Sequence, residues 1–246
     1  MFTDLTRRLR LDTLERRDVP TAGVAITSRL TAGILTINGT NGDDTITVSQ
    51  TSTQIKVTVA TVTTNFSAFS TRLVVVFGYN GSDSIDLSGL ACPARVFGGW
   101  GQDTILGGRG HDLIYGEAED DSIDGGPGND LIIGGQGNDL LLGNFGNDEI
   151  FGDDANGAAF GGNDTIAGGR GFDWLYGEGG NDSLYADEGA APFLGEFDFA
   201  IGGAGRDNFY NMPRFGTPGV FVSPILGNRA GRTGALDALT YESVVN

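Results

Sequence analysis

Between residues 98 and 210 one apolar residue returns at a fixed place in every repeat of the chain: Ile105, Ile114, Ile123, Ile132, Leu141, Ile150, Ile166, Leu175, Leu184, Ala200 and Phe209. Each is the middle of a three-residue run and follows six residues of turn character, as in GGWGQDTIL (98–106), GGRGHDLIY (107–115), GGPGNDLII (125–133) and GGQGNDLLL (134–142). A constant period of this length marks stacked repeats and not an amphipathic helix. Nine units of nine residues and two of sixteen (152–167 and 186–201) account for the whole segment. Three residues at about 3.3 Å each make a strand roughly 10 Å long, and two turn-plus-strand units close one coil. Coils of this kind stack as two short parallel sheets that enclose the apolar eighth positions. The predicted fold is all-β: a parallel β-roll, or two-sheet β-solenoid.

The flanks read differently. Residues 31–97 form a β-rich lead-in, with strand-like runs at Thr45–Val48, Ile55–Val59 and Leu73–Phe77. Two isolated units of the same type, GTNGDDTIT (39–47) and GYNGSDSID (78–86), lie within it. Residues 211–246 lack the repeat but keep Val220, Phe221, Val222, Ile225 and Leu226, enough for a short C-terminal cap. A solenoid needs such caps at both ends. Residues 1–30 are an arginine-rich segment without the apolar stretch of a secretory signal; with Leu14, Glu15, Arg16, Arg17 and Pro20 it resembles the N-terminal segments, ending in L-E-x-R-x-x-P, of some exported bacterial proteins.

Composition adds a problem that the pattern alone does not show. The chain has 246 residues, 42 of them glycine, and a net charge of −17. Segment 98–210 holds 30 of the glycines, and its 22 acidic residues against three arginines leave it at −19. Glycine raises the entropy lost on folding, and charge of one sign opposes compaction. With one lysine, Lys56, the chain is a poor nucleic-acid ligand. Its apolar runs are too short to span a bilayer. A lone cysteine, Cys92, and a lone histidine, His111, exclude internal disulfides and clusters of Cys or His around zinc. EF-hand, phosphate-loop and Gly-x-Ser-x-Gly patterns are absent, and no paired catalytic carboxylates stand apart from the repeat. The chain therefore reads as a non-enzyme.

The sixth position of all eleven units is aspartate: Asp103, Asp112, Asp121, Asp130, Asp139, Asp148, Asp164, Asp173, Asp182, Asp198 and Asp207. Asp44 and Asp83 hold that place in the upstream units. Stacking sets equivalent aspartates of alternate units about 4.8 Å apart along the roll, where two carboxylates repel by roughly 3 kcal/mol at an effective dielectric near 20. A hard divalent cation between neighbours relieves this, and turns rich in glycine offer carbonyl oxygens to complete its shell. The turn glycines in question are Gly99, Gly101, Gly108, Gly110, Gly126, Gly128, Gly135, Gly137, Gly146, Gly169, Gly171, Gly203 and Gly205. Flexible all-oxygen ligation suits Ca2+ better than Mg2+. Two columns of six and five aspartates give at most nine neighbouring pairs in the array. Glu117 and Glu119 replace turn glycines in unit 116–124, which puts that turn's geometry in question.

On these residues the chain resembles the RTX, or hemolysin-type, calcium-binding nonapeptide-repeat proteins. The resemblance implies a β-roll that binds several calcium ions through the sixth-position aspartates and turn carbonyls, and a secreted or cell-surface location. The leading expectation is calcium binding coupled to folding. The alternative is an adhesin or carbohydrate-binding or carbohydrate-processing module, making a cell-surface or polysaccharide contact through the insertions and through Arg214, Arg229 and Arg232 of the C-terminal cap.

Overall fold

A computed structural model describes residues 27–154, 161–187, 198–210 and 221–222. Among these residues there is no helix; the strands form two ten-stranded sheets. The chain enters through the antiparallel pair β1 (Thr27–Thr31) and β2 (Ile34–Asn38). It then crosses to the second sheet at β3 (Thr45–Gln50), which continues into the antiparallel strands β4 (Gln54–Val59) and β5 (Val62–Ser67).

From β6 (Leu73–Asn80) the chain winds as a solenoid, alternating between sheets. The following strands are β7 (Ser84–Gly89), β8 (Ala94–Trp100), β9 (Thr104–Leu106), β10 (Leu113–Ala118), β11 (Ser122–Asp124), β12 (Leu131–Gln136), β13 (Leu140–Phe145) and β14 (Glu149–Phe151). The winding ends with β15 (Thr165–Arg170), β16 (Trp174–Tyr176), β17 (Ser183–Asp187), β18 (Phe199–Ile201), β19 (Asn208–Tyr210) and β20 (Phe221–Val222). The first sheet runs β1-β2-β6-β8-β10-β12-β14-β16-β18-β20 and the second β19-β17-β15-β13-β11-β9-β7-β3-β4-β5. This is the expected β-roll.

The register follows from the apolar eighth positions. Val96, Ile114, Ile132, Ile150, Leu175 and Ala200 align across the first sheet, and Ile85, Ile105, Ile123, Leu141, Ile166 and Leu184 across the second. All are buried. A slip of one residue would turn this row outward, so burial pins each coil on the last. Several strands run beyond the three residues expected from the pattern. β10 and β12 each span six, because the backbone after the core residue keeps pairing, as at Glu117 with Gly135.

Upstream of Gly98 the stacking continues without a break: β6 pairs with β8 and β7 with β9, all parallel. Segment GLACPARVF (89–97) therefore occupies the place of one more repeat, with Ala94 where the array has aspartate. The antiparallel strands β1, β4 and β5 end the two sheets on that side. The export-like segment falls outside the described residues up to residue 26, as does most of the expected C-terminal cap, of which β20 alone is described.

Candidate metal centre

Each sixth-position aspartate closes the turn that leads into a strand, and its carboxylate reaches back along the stack. The backbone N–H of Asp103 donates to Oδ1 of Asp121 at 2.8 Å, that of Asp121 to Asp139 at 2.8 Å, and that of Asp139 to Asp164 at 2.9 Å. The same bond runs from Asp164 to Asp182, from Asp182 to Asp207, and upstream from Asp44 to Asp83 and from Asp83 to Asp103. A second column, on the turns entering the first sheet, links Ala94, Asp112, Asp130, Asp148, Asp173 and Asp198 in that order. Both 16-residue units keep their aspartate in the column, the bond then spanning 25 residues instead of 18.

The second carboxylate oxygen distinguishes the aspartates from one another. Oδ2 of Asp83, Asp103, Asp121, Asp130, Asp139, Asp148, Asp164 and Asp182 is buried and accepts no hydrogen bond. In contrast, Oδ2 of Asp112 accepts the Gly108 N–H at 2.7 Å, and Oδ2 of Asp44 accepts the Thr40 N–H at 2.6 Å. These two stand near the start of their columns.

Position one of each unit explains what surrounds the unpartnered oxygen. A Cβ added to Gly98 would collide with Oδ2 of Asp103 and stand 2.8 Å from the Gly116 carbonyl; on Gly116 it would meet Asp121 and the Gly134 carbonyl at 2.6 Å. Gly134, with Asp139 and the Gly152 carbonyl, repeats the arrangement. Glycine here keeps open a cradle lined by a carboxylate oxygen and a carbonyl oxygen from the next coil. Positive φ is required elsewhere in the turn. Gly99, Gly101, Gly126, Gly135, Gly137, Gly146, Gly169, Gly171, Gly203 and Gly205 adopt it, whereas Gly108, Gly110 and Gly128 do not. At Gly128 the need is space, since a Cβ would strike the Gly110 carbonyl. Glu117 and Glu119 take the left-handed conformation at φ 83 and 78 and hold the turn's register at a cost in strain.

Burial sets the electrostatics. Asp121, Asp130 and Asp164 are each pushed up to about 8, first by removal from water, against the backbone N–H each accepts; the neighbouring aspartates of the column add a smaller upward push. Asp83, Asp139 and Asp182 rise to about 7 and Asp103 and Asp148 to about 6, again through burial first. Repulsion along the column, which the sequence puts foremost, is thus secondary to desolvation. Among the described residues no three carboxylate, imidazole or thiol groups converge as a metal cluster, so a cation here must draw much of its shell from carbonyl oxygens. Buried oxygen donors of this kind fit a hard cation of flexible coordination, which is calcium.

A family model described as the RTX calcium-binding nonapeptide repeat matches in four copies, over residues 36–49, 97–132, 124–157 and 159–190. These coils are RTX calcium-binding nonapeptide repeats. Their cofactor is Ca2+. No curated protein and no solved structure matches the chain significantly.

The RTX turns also carry a second ladder that the sequence treats as variable. At the fifth position the Asn138 N–H donates to Asp120 Oδ1, Asn163 to Asn138, Asn181 to Asn163 and Arg206 to Asn181, at 2.7 to 3.0 Å. On the other edge His111 Nδ1, exposed as expected, accepts the Asn129 N–H, and Asn129 accepts that of Asn147. The recurrence of Asn-Asp at 129–130, 138–139, 147–148, 163–164 and 181–182 was the available signal. Asp153, at the start of one insertion, is buried and accepts the N–H groups of Gly162 and Gly179, both at 3.0 Å. It serves there as a turn brace.

Proposed function

We propose that this protein is a non-enzymatic, secreted or surface-associated RTX β-roll whose array folds when it meets extracellular calcium. The observation that carries the reading is the row of buried Oδ2 atoms without hydrogen-bond partners. A buried carboxylate oxygen left unpaired costs several kcal/mol in order of magnitude, and a cation removes that cost only where calcium is present. The calcium ligands in this reading are Asp83, Asp103, Asp121, Asp130, Asp139, Asp148, Asp164 and Asp182, together with carbonyls of the glycine turns. Asp173, Asp198 and Asp207 continue the same columns.

In a cytosol poor in calcium the charge and glycine content of the array keep it from collapsing; after export, binding supplies the folding free energy. Far-ultraviolet circular dichroism with millimolar calcium and then with excess chelator tests this. The strand signal is expected to fall on chelation and return on readdition. A signal indifferent to the chelator would end the proposal.

A further inference from the structure

Among the described residues the strands upstream of the array carry more core than those within it. Each strand from β2 to β4, and β6 and β7, buries two aliphatic side chains, as with Leu35 and Ile37, Val74 and Val76, Ile85 and Leu87. Along the array each strand from β9 to β14 contributes one core aliphatic. The difference is a substitution at fixed register. In the first sheet the place that becomes aspartate from Asp112 onward is held upstream by Leu35, Val74 and Ala94. In the second sheet Leu87 stands two residues after Ile85, where the array has Gly107 after Ile105.

In this segment the unpartnered carboxylate oxygen is Oδ2 of Asp83, and its cradle is closed by the carbonyl of Gly98, so the demand for a cation arises where the array joins the segment. Asp44 is satisfied by Thr40 through its N–H and hydroxyl, and Asp112 by the N–H groups of Gly108 and Ala94. Residues 27–97 carry four basic side chains and four acidic ones, so they sum to zero while the array stands at −19. Pairing is also local: β1 joins β2 and β4 joins β5 through two-residue turns, Val59 facing Val62 with Ala60 at φ 48. Short loops of this kind close quickly and cheaply in entropy.

We propose that residues 34–97 are a calcium-independent template from which the array folds coil by coil toward the C-terminus. The inference rests on calcium-coupled folding of the array. β8 and β7 present formed strand edges to β10 and β9, and the first carboxylate laid on the template in the first sheet, Asp112, finds both its partners without metal. Each later unit from Asp121 to Asp148 adds one core residue and one unpaired oxygen, so it depends on the units before it and on calcium.

Hydrogen–deuterium exchange of the full chain tests the proposal. In chelator, peptides within 34–97 are expected to stay protected while those within 98–154 exchange freely; a calcium titration should then extend protection outward from residue 98. If all peptides gain protection together and none is protected in chelator, the template is refuted while calcium-coupled folding stands. If every peptide is protected with or without calcium, both fall. Two variants supply the polarity. In saturating calcium, Val76→Asp is expected to abolish protection along the array, whereas Leu184→Asp spares residues 98–154. The opposite outcome, loss throughout from Leu184→Asp alone, overturns the direction.

Discussion

Oδ1 of Asp121 accepts the backbone N–H of Asp103 at 2.8 Å, one coil away, while Oδ2 of the same carboxylate is buried without a hydrogen-bond partner. One half of the side chain thus fixes the register of the roll and the other half is left for a cation. Substitution can separate the two roles. Asp121→Asn keeps the acceptor for Asp103 and removes the charge, so the register of the roll should tolerate it. The calcium stoichiometry, read by isothermal titration calorimetry, should fall, and the calcium midpoint of folding should rise. Asp112→Asn is expected to do the reverse. Its amide nitrogen would face the Gly108 N–H, leaving two donors opposed at a cost of about 1–3 kcal/mol, with the stoichiometry unchanged.

Gly134 lies outside the left-handed region, so alanine there changes the space and not the backbone preference. The added Cβ would crowd Oδ2 of Asp139 and stand 2.5 Å from the Gly152 carbonyl. Gly134→Ala should lower the stability of the calcium-loaded protein by about 1–3 kcal/mol and weaken calcium uptake. Thermal melts at several calcium concentrations measure both. Undiminished uptake would mean that the cradle is not where the ion sits.

Acid should substitute in part for calcium. The carboxyls of Asp121, Asp130 and Asp164 lie near 8 in the folded, metal-free roll against an ordinary value of 3.8. A folded-state value raised above the unfolded one stabilises the fold fully below the unfolded value, and that contribution is lost as pH climbs through the folded value. In chelator, the strand signal is therefore expected to grow as pH falls from 8 to 5. With calcium the sign reverses for binding: uptake near pH 7 releases protons, and affinity declines as pH falls below that range. Calorimetry in buffers of different ionisation enthalpy counts those protons. A binding enthalpy independent of buffer would contradict the raised values.

The fifth-position ladder should contribute stability without metal. Asn163 accepts the Asn181 N–H at 2.9 Å and donates to Asn138 at 3.0 Å on an exposed edge. Asn163→Ala is expected to cost about 0.5–1.5 kcal/mol in chemical denaturation at saturating calcium while leaving the number of bound ions as it was. A drop in that number would place Asn163 in the ion's shell instead.

Much of the fold was legible because every unit repeats the same environment. An apolar eighth position, an aspartate at the sixth and glycines between them recur eleven times, and that regularity alone yields two parallel sheets, two aspartate columns and the neighbours of Asp130, which are Asp112 and Asp148. Unit 89–97 was illegible for the complementary reason. Ala94 and Pro93 break the pattern of glycine and aspartate, and only the alignment of Val96 with Ile114 shows that the coil is there.

The sequence by itself determined the period, the handful of residue types at each place and the oxygen-rich chemistry, since these depend on spacing and composition. Tertiary structure decided which oxygens are left over. Whether the second oxygen meets a backbone N–H, as Asp112 meets that of Gly108 four residues earlier in its own turn, or an open cradle, as at Asp121, depends on the path of the turn backbone, and both residues look alike in the repeat. Burial was likewise a property of the stack. The desolvation that raises these carboxyls exists only once neighbouring coils exclude water, and it outweighs the repulsion that spacing alone would suggest.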